Sequence, residues 1–264
     1  FAVNRRERKS DGTVEIGNNP DGFVDSSIGI LQIRKQGGMP LANLINLSCH
    51  NVVLGPQNLL VSADWAGNMR MRIEDATGTP CIFIQGAAAD LNPYHEWGKD
   101  DFHAMEQIGE SVASNVFSGF SDLVPIHFQS LKFWQGDIWL YLDAEVRQEN
   151  PPKTYRKVLS DLTKLPKFMV DPILNIRYPW KTDVKEVDGY WSIPLRISVL
   201  NIGELTWVGL GAEVFNQIGW DIKQRTNSPF TIFSSLTNGC IGYLPTEDEH
   251  ALGGYEVDLA PYFY

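Results

Sequence analysis

The feature that most constrains the fold is an alternation between short apolar runs and longer amphipathic segments. Residues 27–35 and 41–48 both alternate apolar and polar side chains, and the turn at 37–40 joins them. This pattern predicts a β-hairpin. Residues 80–85 are almost continuously apolar, which is typical of a buried central strand.

Helical periodicity occupies the stretches between these runs. Residues 100–117 place apolar side chains three and four positions apart, which predicts an amphipathic helix. A second helix is expected over residues 61–73, where Ser62 or Asp64 could cap its first turn.

The second half of the chain continues the alternation with one interruption. The pattern predicts a strand over 131–146, a strand pair over 195–211 that turns at 201–204, a helix over 213–224 and a strand over 230–236. Residues 150–194 are rich in proline and lysine instead, which predicts an excursion from the main sheet with a short helix near 154–165. The chain is therefore assigned to the α/β class, as a layered mixed β-sheet flanked by helices in one domain over residues 1–264.

Composition excludes several classes of protein. The formal net charge of −10 argues against a general nucleic-acid binder, because such proteins need a basic face. Three widely spaced cysteines are too few for a disulfide scaffold or a zinc knuckle. No run of about 18 uncharged apolar residues is present in the sequence.

Three polar sequences follow apolar strands and could carry chemistry. His50 could ligate a metal, although a histidine at a strand end is more often structural. Glu213 follows a glycine-rich turn and could bind a metal or act as a base, or could simply lie in the first turn of a helix. Asp90 and Asn92 lie in a turn before Pro93, where an ordinary Asx-turn is an equal alternative.

Several short motifs together resemble the neutral/alkaline (non-lysosomal) ceramidase family, and its prokaryotic branch most closely. They are VNRR at 3–6, NPDG at 19–22, NLSCHNVVLGP at 46–56, SADWAG at 62–67, FIQGAAADLNP at 83–93, GLGAEVFNQIG at 209–219 and NGCIGYLPTEDEHALGGYEV at 238–257. Each motif is weak by itself, but seven in the family's order span nearly the whole chain.

The resemblance implies a catalytic-type domain that hydrolyses an amide bond with zinc. Carried over motif by motif, it implies His50, Glu213 and Tyr243 as zinc ligands, a set of donors that zinc accepts. It also implies that Arg5 and Tyr255 hold a substrate carbonyl or its oxyanion.

The sequence departs from the family at two places. Asn92 stands where the family has a serine, and an amide is a poor nucleophile, so water activated by the metal is the expected nucleophile. Asn92 could still donate to an oxyanion, and Asp90 could orient a metal ligand. The family's His-x-His segment precedes its Asn-Arg motif, whereas this chain begins at Phe1. We therefore expect an N-terminal fragment or a partner chain to supply a further histidine ligand.

The leading hypothesis is thus a zinc amidohydrolase, with an N-acyl lipid or a small amide as its substrate. A second hypothesis is a non-catalytic or partner-dependent ceramidase-like subunit, which the absent serine and the absent histidine favour. A metal hydrolase of esters or phosphates is a third and weaker hypothesis, because Arg5 is the one clear arginine expected at the site.

Overall fold

A computed structural model describes residues 1–96, 98, 100–126, 130–141 and 185–258. Within them, the strands are β1 (Ala2–Arg8), β2 (Val14–Asn19), β3 (Gly29–Arg34), β4 (Pro40–Leu47), β5 (Cys81–Gln85), β6 (Leu91–Pro93), β7 (Leu131–Tyr141), β8 (Lys185–Val187), β9 (Tyr190–Ile202), β10 (Leu205–Leu210), β11 (Glu213–Val214), β12 (Phe230–Ser234) and β13 (Tyr243–Leu244). The helices are α1 (Asp64–Thr77), α2 (Asp101–Gly119), α3 (Asn216–Arg225), α4 (Glu247–His250) and α5 (Tyr255–Asp258), with a 3₁₀ turn at Phe120–Asp122.

The first sheet has the order β3-β4-β5. The predicted hairpin is confirmed, since β3 and β4 pair antiparallel, while β4 and β5 pair parallel with α1 as their crossover. Helix α1 begins at Asp64 with Ala63 as its N-cap residue and no side-chain cap, so the prediction that Ser62 or Asp64 caps it is wrong; the backbone N–H of Asp64 donates to Ser62 Oγ at 3.0 Å. Strand β5 was predicted to be central and is an edge strand among the described residues, with Ile82 49% exposed. An apolar run shows that a strand carries few polar side chains, but it does not show whether the strand has one neighbouring strand or two.

The second sheet has the order β12-β10-β9-β7, and β8 also pairs with β9. Strands β10 and β12 are parallel and the other pairs are antiparallel, so the sheet is mixed as expected. The predicted turn between β9 and β10 is confirmed, and so are α2 and β12. A third sheet, β2-β1-β6, is antiparallel throughout and was not predicted.

These elements pack in layers, because alternate side chains of each strand face opposite sides of its sheet. Helices α1 and α2 cover one face of the first sheet around Ile45, Leu47 and Trp65, all buried. The opposite face meets the second sheet through Leu44 of β4 and Leu205 of β10. The far face of the second sheet packs against α3. The order is helices, sheet, sheet, helix, which confirms the α/β class with helices flanking mixed sheets.

Two boundaries predicted from the sequence are wrong. Residues 185–187 form β8 and residues 190–194 belong to β9, so both stretches are part of the second sheet and not of an excursion; β9 pairs with β8 over 190–192 and with β7 from Ser192 onward. Glu213 lies on β11 and not in a helix, because β11 pairs parallel with β13 and α3 begins only at Asn216. The predicted helix at 154–165 lies outside the described residues. No helix within the described residues is long and apolar enough to cross a membrane.

The layer between α3 and the second sheet predicts a large stability difference between two leucine truncations. Leu195 is 2% exposed in this layer, and Leu59 is 93% exposed. We expect Leu195→Ala to lower the free energy of unfolding by about 2–5 kcal/mol, because it removes buried contacts and leaves a cavity. Leu59→Ala should change it by less than about 0.5 kcal/mol. Urea unfolding of both variants measures the difference, and equal values would contradict the layer assignment.

Candidate active site

The candidate site lies where segments distant in sequence meet beyond their strands. His50 follows β4, and Asn92 lies on β6 after the turn that leaves β5. Strand β1 pairs antiparallel with β6, which brings Arg5 near Asn92. Parallel pairing of β11 with β13 sets Glu213 directly beside Tyr243. Backbone pairing therefore places two pairs of predicted site residues side by side, Arg5 with Asn92 and Glu213 with Tyr243.

His50 is held in one orientation by backbone groups. Its Nδ1 lies 2.9 Å from the carbonyl oxygen of Leu91, and the backbone N–H of His50 donates to the same oxygen at 3.2 Å. The carbonyl of His50 accepts a hydrogen bond from Trp65 Nε1 at 2.8 Å. A carbonyl oxygen can only accept, so Nδ1 carries the proton in the neutral ring and Nε2 keeps its lone pair.

The free lone pair of His50 faces a carboxylate. His50 Nε2 lies 3.4 Å from Glu213 Oε2, and each side chain is 23% exposed. This separation is long for a charge-assisted hydrogen bond, which is about 2.7–2.9 Å. Two ligands on a tetrahedral zinc, with bonds of about 2.0–2.2 Å, lie about 3.3–3.5 Å apart. The spacing thus fits a zinc ion between the two groups.

Tyr243 adds a phenol oxygen beside Glu213. Burial raises the pKa of the Tyr243 phenol, and the nearby Glu213 carboxylate raises it further, so the phenol is neutral without a cation. A metal ion would reverse that balance, since it lowers the pKa of a ligand it binds. Among the described residues no group of three His, Cys, Asp or Glu side chains forms a metal cluster. A zinc site with three side-chain ligands at this position would therefore need Tyr243 in addition to His50 and Glu213.

Arg5 lies beside Tyr243 and is almost fully buried, 6% exposed. Its Nη2 donates to Tyr243 Oη at 3.5 Å, and its Nη1 donates to Asn92 Oδ1 at 3.4 Å. Its Nε donates to Glu256 Oε1 at a much shorter 2.7 Å. Burial is the largest single effect and lowers the pKa of Arg5, but the charges of Glu256 and Tyr243 and the hydrogen bonds to both together outweigh it, so the net shift is upward. The guanidinium is therefore always charged.

Two tyrosine rings border the Arg5 guanidinium. Its central carbon lies 5.8 Å from the Tyr243 ring centroid and 5.7 Å from that of Tyr255. The two rings meet edge to face, 5.8 Å apart. Tyr255 is 38% exposed, so it forms the outer wall of the site. The structure thus brings together Arg5, Tyr243, Tyr255 and Asn92 through contacts on the guanidinium.

Asp90 lies two positions before Asn92, but its carboxylate forms hydrogen bonds with groups outside the candidate site. Oδ1 accepts the backbone N–H of Asn216 at 2.7 Å, and Oδ2 accepts Asn4 Nδ2 at 3.0 Å. These bonds join the start of α3 to β1. The carbonyl of Asp90 accepts the backbone N–H of Arg5 at 2.8 Å. Its hydrogen bonds thus support Arg5 rather than the His50–Glu213 pair, and its suggested role in orienting a metal ligand stays a prediction.

Sequence reasoning missed three supporting groups. The Leu91 carbonyl and the Trp65 indole hold His50, and Glu256 holds Arg5. Trp65 and Glu256 lie in the SADWAG and GGYEV motifs, so their place in the motifs was the one available signal. His95, which the sequence left unassigned, lies 2.6 Å from Asp101 Oδ1, while His127 lies outside the described residues.

Comparison with solved structures identifies the fold. Neutral ceramidase from Pseudomonas aeruginosa is similar with a TM-score of 0.64 and 16% identity, over 89% of this chain and 43% of that chain. A ceramidase complexed with C2 is similar with a TM-score of 0.68 and 16% identity, over 99% of this chain and 48% of that chain. The chain has a ceramidase-like fold. It spans less than half the length of either structure. No family model and no curated protein matches its sequence.

Asp90 gives this ceramidase-like chain a predicted pH dependence. Burial raises the pKa of Asp90 from 3.8 to about 6. Between these values the folded state holds a proton that the unfolded chain has released, so stability falls as the pH rises. We expect the free energy of unfolding to drop by about 2 kcal/mol from pH 4 to pH 6.

Urea unfolding at several pH values measures this drop. Asp90→Asn should be less stable throughout, because its amide meets two N–H donors, but it should lack that slope. Asp137→Asn is the control, since Asp137 forms a surface pair with Arg196. A slope unchanged by Asp90→Asn would contradict the prediction.

Proposed function

We propose that this chain carries the active site of a zinc-dependent amide hydrolase. The observation that most supports it is the placement of His50 Nε2 at 3.4 Å from Glu213 Oε2, with the proton of His50 fixed on Nδ1 by the Leu91 carbonyl. Neutral imidazole with an oriented second nitrogen is the form in which histidine binds zinc. His50, Glu213 and Tyr243 would hold the ion and leave a position for water.

Zinc in such a site supplies a Lewis acid and lowers the pKa of water toward neutrality. The residues of the chain bind and orient the substrate. Arg5 directs Nη1 and Nη2 toward the region that Asn92 and Tyr243 border, where a carbonyl oxygen gaining negative charge would be stabilised. The exposed Tyr255 hydroxyl is suited to donate to the same oxygen.

Asn92 supports water as the nucleophile. It is 9% exposed, and its Oδ1 already accepts from Arg5, which leaves its amide N–H₂ to donate. An amide cannot attack a carbonyl as a hydroxyl does. Asn92 can therefore donate to the oxyanion. The substrate class we propose is an amide, an N-acyl lipid or a small amide, in keeping with the ceramidases of similar fold.

Removal of His50 tests the metal site. The purified chain should contain about one zinc per molecule by elemental mass spectrometry. His50→Ala should lower zinc affinity and amide hydrolysis by more than about 100-fold, because loss of even a supporting group costs about 10–100-fold. His103→Ala, on the exposed side of α2, is the matched control and should retain both. Full zinc content with full activity in His50→Ala would refute the site.

Arg5→Lys tests the oxyanion-binding role. Lysine keeps the charge but loses the planar set of donors. We expect kcat to fall by about 100- to 1,000-fold while KM changes little, because the donors act mainly on the charge that develops in the transition state. Arg8→Lys is the control, since Arg8 is exposed and pairs with Glu249. Steady-state kinetics of the two variants decide; a KM effect without a kcat effect would count against the role.

A second candidate function is a partner-dependent or non-catalytic subunit. The observation that favours it is Asn92, an amide at the position where the family that the sequence resembles has a serine. The further histidine expected from an N-terminal fragment or a partner chain belongs to this proposal too. Zinc content and amide hydrolysis of the chain alone distinguish the two: a chain that binds no zinc and hydrolyses no amide favours the subunit.

A further inference from the structure

Glu256 is a buried carboxylate to which the sequence assigned no role. It is 1% exposed, and its two oxygens bind two different arginines of β1. Oε1 accepts from Arg5 Nε at 2.7 Å and Oε2 accepts from Arg6 Nη1 at 2.7 Å. Both are short charge-assisted hydrogen bonds shielded from water, so they fix the carboxylate strongly.

The bond to Nε determines where the other donors of Arg5 point. A guanidinium is planar, so holding Nε fixes the plane and the directions of Nη1 and Nη2. These two nitrogens face Asn92 and Tyr243 at 3.4 and 3.5 Å. Such contacts are longer than the usual distance of about 2.9 Å for N–H···O. Arg5 is thus held tightly on one edge and loosely on the edge that faces the candidate site.

Arg6 fixes the backbone that carries Glu256. Its Nη2 donates to the carbonyls of Glu249 at 3.1 Å and Gly253 at 2.7 Å, and its Nε donates to the Glu249 carboxylate at 2.7 Å. Gly254 has a φ of +95°, and a Cβ there would lie 3.1 Å from the Val14 carbonyl oxygen. The segment that bears Glu256 is therefore docked against the β1–β2 hairpin in one conformation.

We propose that Glu256 is the positioning residue that orients Arg5 for amide hydrolysis. The carboxylate does not touch the substrate; it acts by holding Nε of Arg5 so that Nη1 and Nη2 are presented to the carbonyl oxygen. This inference rests on the proposed function for its catalytic consequence. Its structural part, the ordering of Arg5, can be measured without any turnover.

Arginine Nε–H resonances test the structural part. In the ¹⁵N-arginine-labelled full chain, Arg5 should give a slowly exchanging Nε–H signal, assigned by its loss in Arg5→Lys. Glu256→Gln should shift that signal and speed its exchange with water. Glu249→Gln is the matched control, because Glu249 binds Arg6 and Arg8 but not Arg5. It should leave the Arg5 signal in place.

A double-mutant cycle tests the catalytic part. Glu256→Gln should lower kcat by about 10- to 100-fold with little change in KM, as expected for a misplaced catalytic group. In the Arg5→Lys background the same substitution should have almost no further effect on kcat. A residue that only stabilises the fold would lower activity equally in both backgrounds. Glu249→Gln should retain the wild-type kcat even where it lowers thermal stability.

The outcomes separate this inference from the proposed function. An Arg5 signal that is unchanged in Glu256→Gln overturns the inference, even in a chain that hydrolyses amides. Full additivity in the kinetic cycle overturns it as well. If the wild-type chain with zinc hydrolyses no amide, the proposed function fails, while the Arg5 signal still reports whether Glu256 orders the guanidinium. If Glu256→Gln does not fold, Glu256→Asp replaces it, because shortening the side chain by one methylene should lengthen the 2.7 Å contacts with the two arginines while keeping the charge.

Discussion

The buried bridge from Arg5 and Arg6 to Glu256 is the interaction on which the site depends most. It joins residues about 250 positions apart and removes three charges from water. Desolvation of that size is offset only by short, well-aligned bonds, and loss of one partner from such a bridge costs about 3–5 kcal/mol. In return for this desolvation, the bridge fixes both the Arg5 guanidinium and the segment that bears Tyr255. Its value therefore lies in specifying geometry more than in adding stability.

Backbone pairing provides the rest of the assembly. Beta-strands β1 and β6 bring Arg5 beside Asn92, and the two-residue pair of β11 with β13 brings Glu213 beside Tyr243. Each of these pairings spans only two or three residue pairs, which is too few to be stable alone. They persist because the neighbouring layers are packed, with Val214 and Phe215 fully buried beside Glu213. The packing of the layers thus holds the side chains on these short strands in place.

Much of the fold follows from the sequence, because amphipathic periodicity is local. The hairpin of β3 and β4, helix α2 and the turn between β9 and β10 all come from patterns within about 20 residues. The hairpin of β1 and β2 was not predicted, because β1 buries charged side chains that pair with Glu249 and Glu256. Its sequence therefore lacks the alternation of apolar and polar residues that indicates a strand. Glu213 was placed in a helix for a related reason: only its long-range pairing with Tyr243 makes it a strand.

The predicted site residues were named from the order of the motifs, whereas the groups that hold them in place could not be named in this way. His50, Arg5 and Tyr243 could be named from the sequence, but the Leu91 carbonyl that orients His50 is a backbone group with no sequence pattern. Glu256 and Trp65 look like ordinary motif positions until a long-range contact gives them a partner. The place of a residue in a motif can be read from the sequence, whereas the contact that gives it a supporting role depends on tertiary geometry.

Two opposite electrostatic environments meet at Tyr243. On one side its phenol adjoins Glu213, which together with the lone pair of His50 favours a cation. On the other side Arg5 Nη2 lies 3.5 Å from the same phenol and favours an anion. Hydrolysis of an amide needs both at once, because a cation activates water while the carbonyl oxygen gains negative charge. A phosphate would need several cationic groups around its oxygens, and Arg6 and Arg8 are occupied by Glu249 and Glu256. The charge arrangement thus supports the proposed amide substrate over a phosphate.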